Sequence, residues 1–174
     1  MSVTTARRRA LLIALLVFVA DQVLKLHVTR TLGLDQVGKQ LELLPIFRLT
    51  YVQNIGVSLG LLTASPEYVE LARWGLVVLT GVIAAGVAVW IFRERALGDL
   101  VALGLVLGGS LGNITDRARL GYVIDYADLH FGSFQPFMVF NLADAAISIG
   151  VVILLVRALF LREKQPAPVE MPHA

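Results

Sequence analysis

The sequence predicts an α-helical membrane protein, with four transmembrane helices and a small extracytoplasmic β-sheet and loop. Three observations predict it. Of the 174 residues, 57% are hydrophobic and only 16% charged, with a mean hydropathy of +0.76; an ordinary soluble domain carries about 25% charged residues. The apolar residues fall in four blocks of about 19–23, enough at 1.5 Å per residue to cross a hydrocarbon layer of about 30 Å. Between the first two blocks lies a segment with strand character.

The first span covers about residues 10–28, after the cluster Arg7-Arg8-Arg9. Its fully apolar part, Ala10 to Ala20, has the length of a signal-peptide core. No small-x-small cleavage site follows, and "DQVLKL" continues at helical spacing, so the segment reads as a retained span. The loop that follows, about residues 29–70, contains "IFRLTYVQN". Its apolar–polar alternation with β-branched and aromatic members predicts a strand, and the loop as a whole a small sheet resting on the membrane.

The second span covers about residues 71–92, and its helix is expected to begin earlier. Ser65 suits an N-cap, Pro66 the first helical position, and Glu67 the positive helix end. The third span covers about 97–115, with Gly104, Gly108 and Gly112 every four residues. Such a face lets helix backbones approach closely, so packing is the expected role. A second loop covers about 116–138, the fourth span about 139–161, and a Pro-rich polar tail, expected to be disordered, about 163–174. The whole reads as a single membrane domain, 1–174.

Lysine and arginine set the expected orientation. Residues 1–9, 93–96 and 162–174 carry seven in 26 positions, whereas 29–70 and 116–138 carry five in 65. Both termini and the "RERA" turn are therefore expected in the cytoplasm, and both long loops outside. A formal charge of +2 gives no argument for nucleic acid. The absence of cysteine excludes a disulfide framework, a thiolate nucleophile and a Cys-ligated metal.

The polar residues of the spans collect at their outer ends. Asp21 and Lys25 are an i,i+4 pair on one face; Asn113 and Arg117 share another; Asn141, Asp144 and Ser148 share a third. Charged residues in spans normally face the bundle interior, so three such faces at one depth imply a polar pocket. Bland readings compete with functional ones here. Asp21 with Lys25 is an ion pair by spacing, Arg117 fits head-group anchoring or a pair with Asp116, Asp99 fits the helix dipole, and Asn141 fits a helix cap. Asp144, one turn deeper, is the stronger functional candidate.

A lone buried carboxylate protonates, but two sharing a site divide into an acid and a base within reach of one water. From spacing alone the partner of Asp144 could be Asp21, Asp116, Asp125 or Asp128. Asp125 stands among apolar and aromatic residues in "YVIDYADLH", a setting that raises a carboxyl pKa. A Ser/Lys dyad using Lys25, or a metal site using His27 and His130, has weaker support. A proton-coupled transporter is the rival class, since intramembrane carboxylates serve relays, though no inverted repeat or broken helix supports it.

Five motifs, "DQVLK" (21–25), "QNIG" (53–56), "GGSLGNITDR" (108–117), "VIDY" (123–126) and "FNLAD" (140–144), stand in order on this four-span frame. Together they resemble the lipoprotein signal peptidases (signal peptidase II), a bacterial family of membrane aspartic peptidases. The resemblance implies a catalytic pair at Asp125 and Asp144. It implies that Asn113, Arg117 and Asn141 line the site, and that Asp21, Lys25, Asn54 and Gly56 support the pocket. The implied substrate is a diacylglyceryl prolipoprotein, cut on the N-terminal side of its lipidated cysteine, with membrane lipid as surroundings. No metal or organic cofactor is implied, and a monomer in the cytoplasmic (inner) membrane is expected. A non-catalytic lipid- or lipoprotein-binding protein on the same frame is the alternative. Val57-Ser58-Leu59 stands where the family continues into Ala and Phe, Leu24 where it has Ser or Thr, and Tyr126 where Phe is commoner.

Overall fold

The computed structural model describes residues 2–56, 66–132 and 134–160. The expectations at Ser65, at Val57-Ser58-Leu59 and over the tail lie outside the described residues.

The chain is an α-helical membrane protein, with four apolar helices and one small antiparallel sheet among the described residues. In order these are α1 (Val3–Leu26), β1 (Gln40–Leu44), β2 (Phe47–Asn54), α2 (Pro66–Arg93), α3 (Leu97–Leu120), β3 (Val123–Leu129) and α4 (Leu142–Phe160). A π-helical turn, His27–Thr31, extends α1. All four helices are long and apolar enough to cross a membrane. Their outer surfaces, including Leu16, Val78, Val82, Leu155 and Leu159, are exposed. So much contiguous apolar surface is stable in lipid rather than in water.

Helix α3 is central and packs against α1, α2 and α4. The four-residue glycine spacing explains the close approach to α1. A Cβ on Gly104 would lie 2.6 Å from the Ala10 carbonyl oxygen, and one on Gly108 would collide with that of Ala14. Ala6, Ala10 and Ala14 are buried with Leu100, Leu103 and Leu107 in the resulting core. Helix α4 meets α3 in the same way, Gly109 facing Ala143 and Gly150 facing Ala102. At the "RERA" turn, Glu94 Oε1 accepts the Arg95 and Ala96 N–H groups at 2.7 and 2.8 Å, and Arg157 pairs with Asp99 at 2.6 Å. The dipole placement of Asp99 is thus joined by an inter-helix ion pair.

The sheet has the order β1-β2-β3. Its third strand comes from the second loop, not the first, because residues 123–129 pair with 47–54. The sheet packs Leu49, Tyr51, Ile124, Tyr126 and Ala127 over Val28 and Leu34. Helix α3 continues to Leu120, beyond the apolar block, and closes on Gly121 in the left-handed conformation (φ 88°). Arg73 of α2 supports that end, donating to the Arg117 and Ala118 carbonyls at 2.8 and 2.7 Å.

Candidate active site

Backbone pairing brings Asp125 and Asn141 together across sixteen residues of chain. The Ala127 N–H donates to the Phe140 carbonyl at 2.7 Å, and the Phe140 N–H returns to the Ala127 carbonyl at 3.0 Å. This bridge lays the start of α4 along β3. The Asn141 side-chain amide then donates to Asp125 Oδ1 at 2.6 Å.

Asn141 also caps α4. Its Oδ1 accepts the Asp144 N–H at 2.9 Å, and Asp144 Oδ2 accepts the Asn141 N–H at 3.3 Å. That is a reciprocal capping box, and the side chain that caps the helix is the one that contacts Asp125. Asp144 Oδ1 accepts the Asn113 amide of α3 at 2.7 Å, and Asp125 Oδ2 accepts that of Asn54 on β2 at 3.0 Å. Asn54 Oδ1 in turn accepts the N–H of Gly56, whose φ of 77° suits glycine. Two carboxylates from different elements thus share one asparagine, with a further amide donor on each.

Burial has the largest effect on Asp125, which is 1% exposed. Burial first, and the Asp144 charge next among raising causes, push its pKa up to about 6, against the opposing Asn54 and Asn141 hydrogen bonds and Lys25. Arg117 lies beside this group against Gly56, where an added Cβ would stand 3.3 Å from Nη2. Its buried Nε has no hydrogen-bond partner among the described residues.

Asp21 and Lys25 lie in an adjoining buried cluster. The Lys25 ammonium is 2.8 Å from Asp21 Oδ2, 2.8 Å from Asp116 Oδ2 and 3.3 Å from Asn113 Oδ1. All three of its donors are used, and among the described residues no serine hydroxyl is a partner. Gly112 makes room for Asp21, since a Cβ there would lie 2.5 Å from Asp21 Oδ2.

The other aspartates weighed against Asp125 are held elsewhere. Asp21 and Asp116 are bound to Lys25. Asp128 accepts from Arg48 at 2.6 Å and Thr50 at 2.8 Å, locking β2 to β3. These bonds hold its pKa below the ordinary range in spite of burial, which acts the other way. Ser148 is exposed and His27 is exposed, while His130 follows β3 with its N–H on the Ile46 carbonyl. Among the described residues no three His, Asp or Glu side chains gather as a metal site. Sequence reasoning missed Gln22, which donates to Asp116 Oδ1 at 3.0 Å and Asp21 Oδ2 at 3.2 Å. It also missed the structural use of Asp116, although Asn113 and Asp116, three apart on α3, share a face.

The sequence pattern of the signal peptidase (SPase) II family matches residues 13–160 of this chain. The chain belongs to the signal peptidase II family. The lipoprotein signal peptidase of Sphingopyxis alaskensis is 52% identical over 157 residues, which cover 90% of this chain and 88% of that protein. That of Rhizorhabdus wittichii is 51% identical over 156 residues, 89% and 88% of the two chains. A solved bacterial membrane enzyme structure is 27% identical with a TM-score of 0.74, covering 87% of this chain and 93% of that one. The resemblance carried by the five motifs is therefore correct at family level. As a signal peptidase II, the chain is a peptidase and a multi-pass membrane protein, and the transporter and pure binding readings are not favoured.

Proposed function

We propose that this chain is an aspartic endopeptidase of the bacterial inner membrane that removes the signal peptide from diacylglyceryl prolipoproteins. Family membership supports the substrate class, and the relatives' name, lipoprotein signal peptidase, supports the reaction. The observation that carries the aspartic assignment is the sharing of Asn141 by Asp125 and Asp144. A paired acid and base can hydrolyse an amide without a covalent intermediate.

In this reading Asp125, pushed up to about 6, carries the shared proton, and Asp144 takes a proton from the attacking water. Hydroxide adds to the scissile carbonyl carbon while Asp125 protonates the carbonyl oxygen, giving a neutral diol. Collapse breaks the C–N bond: Asp144 passes its proton to the leaving nitrogen, and Asp125 regains one from the diol. Asn113 and Asn141 hold the carboxyl groups, and Arg117 stabilises charge on the substrate oxygen. Asn54 and Gly56 shape the approach to Asp125.

A substrate held by two acyl chains and an apolar signal helix arrives through the bilayer. In this reading the sheet end of the bundle, where the two carboxylates stand, faces outside and both termini are cytoplasmic, an orientation that the lysine and arginine pattern supports. The protein acts as a monomer in this reading. The purified chain should shift a lipidated prolipoprotein on a gel and release its signal peptide, while leaving the unlipidated precursor intact. Binding without cleavage would instead support the non-catalytic reading.

A further inference from the structure

We infer that Asp116 is a positioning residue for the peptidase reaction: through the Ile124 N–H it holds β3, and with it Asp125, in reach of Asp144. The inference rests on the aspartic reading above and adds to it a residue with no assigned role.

The ammonium of Lys25 joins two carboxylates, and each grips backbone next to one of the pair. Asp116 Oδ2 accepts the N–H of Ile124 at 3.2 Å, directly before Asp125. Asp21 Oδ1 accepts the N–H of Ala143 at 3.1 Å, directly before Asp144. Gln22 spans the two carboxylates and also reaches the Gly112 carbonyl at 3.4 Å. Lys25 finally touches Asn113, whose amide is bonded to Asp144.

The charged groups of the cluster are buried: Asp21 is 0%, Lys25 2% and Asp116 4% exposed. In such low-dielectric surroundings these bonds are stronger than at the surface. Every oxygen of the two carboxylates has a donor, which is the condition under which a buried ionic group specifies one arrangement. Neither carboxylate hydrogen-bonds to Asp125 or Asp144 among the described residues. They act on peptide groups, so their effect is on position.

The test uses the full chain in detergent with a lipidated prolipoprotein, with rates expressed per folded enzyme. Asp116→Ala should lower kcat about 100-fold, the scale of a 1 Å misplacement, with KM within about threefold. Asp116→Asn, which keeps an acceptor for the Ile124 N–H, should recover about tenfold of that loss. A purely stabilising role would lower Tm and leave kcat per folded enzyme unchanged, and a purely electrostatic one would make the two variants equal. Either result overturns the inference. Should Asp116→Ala fail to fold, Gln22→Met carries the test: an about tenfold lower kcat at constant KM supports the inference, and wild-type kcat overturns it. Asp125→Asn and Asp144→Asn serve as controls. If they cleave, the aspartic reading fails and the inference with it. If they are inactive while the Asp116 variants match wild type, the positioning inference alone fails.

Discussion

The side-chain amide of Asn141 donates to Asp125 Oδ1 over 2.6 Å. The same residue caps the helix that carries Asp144. One asparagine therefore couples the start of α4 to the middle of β3, and the proposed acid–base pair depends on that coupling. Asn141→Ala should reduce cleavage about 100-fold by releasing both carboxyl groups. Loss of a buried donor and a cap should also cost about 1–3 kcal/mol of stability. Steady-state kinetics alongside thermal melts check both effects.

Gly112 is the position where packing and the polar cluster meet. An alanine there would place Cβ 2.5 Å from Asp21 Oδ2 and 3.4 Å from the Ala143 Cβ. Gly112→Ala should destabilise the protein by about 1–3 kcal/mol and lower activity with it. Gly81→Ala, with nothing within 4 Å among the described residues, should stay within about 0.5 kcal/mol of wild type. Thermal melts of the two variants in the same detergent make the comparison.

Asp128 offers a contrast to the proposed catalytic carboxylates. It is 2% exposed at the side chain and bonded to Arg48, which is 19% exposed. Asp128→Asn should destabilise the sheet, by about 1–3 kcal/mol given the partial exposure of Arg48. The rate per folded enzyme should stay within about threefold of wild type. A complete loss of rate in a folded variant would mean that Asp128 belongs to the site.

The pH profile follows from the raised carboxyl of Asp125. A group lifted to about 6 is protonated below that pH and ionised above it. The proposed acid is therefore lost as pH rises, and kcat/KM should decline on the alkaline side of about 6. Bound substrate excludes more water and raises the same group further. The alkaline limb of kcat should then lie at higher pH than that of kcat/KM, since the two report bound and free enzyme. Coincident limbs in profiles of both constants would contradict this.

The four spans were legible because the thickness of a bilayer imposes a length on every apolar helix. The glycine spacing of α3 was legible for a similar reason, being a local pattern with one common use. β3 was harder: "VIDYADL" is buried at nearly every position, so it shows no period-two alternation. Spacing alone leaves four aspartates open as partners for Asp144; the apolar and aromatic setting of Asp125 favours it, and the resemblance goes on to name it. What unites Asp125 with Asn141 is the backbone bridge between Ala127 and Phe140, a tertiary event without a sequence period. Asp116 escaped for the same reason, as its structural use is a bond to the N–H of Ile124.

The most direct measurement is cleavage of a lipidated prolipoprotein by Asp125→Asn and by Asp144→Asn, each purified and shown to melt like wild type. Asparagine keeps the shape of either side chain and removes its proton chemistry. The account predicts that each substitution alone lowers kcat by at least about 10³-fold, since acid and base act as a unit. Cleavage within about tenfold of wild type by either enzyme would remove that aspartate from the mechanism and contradict the account.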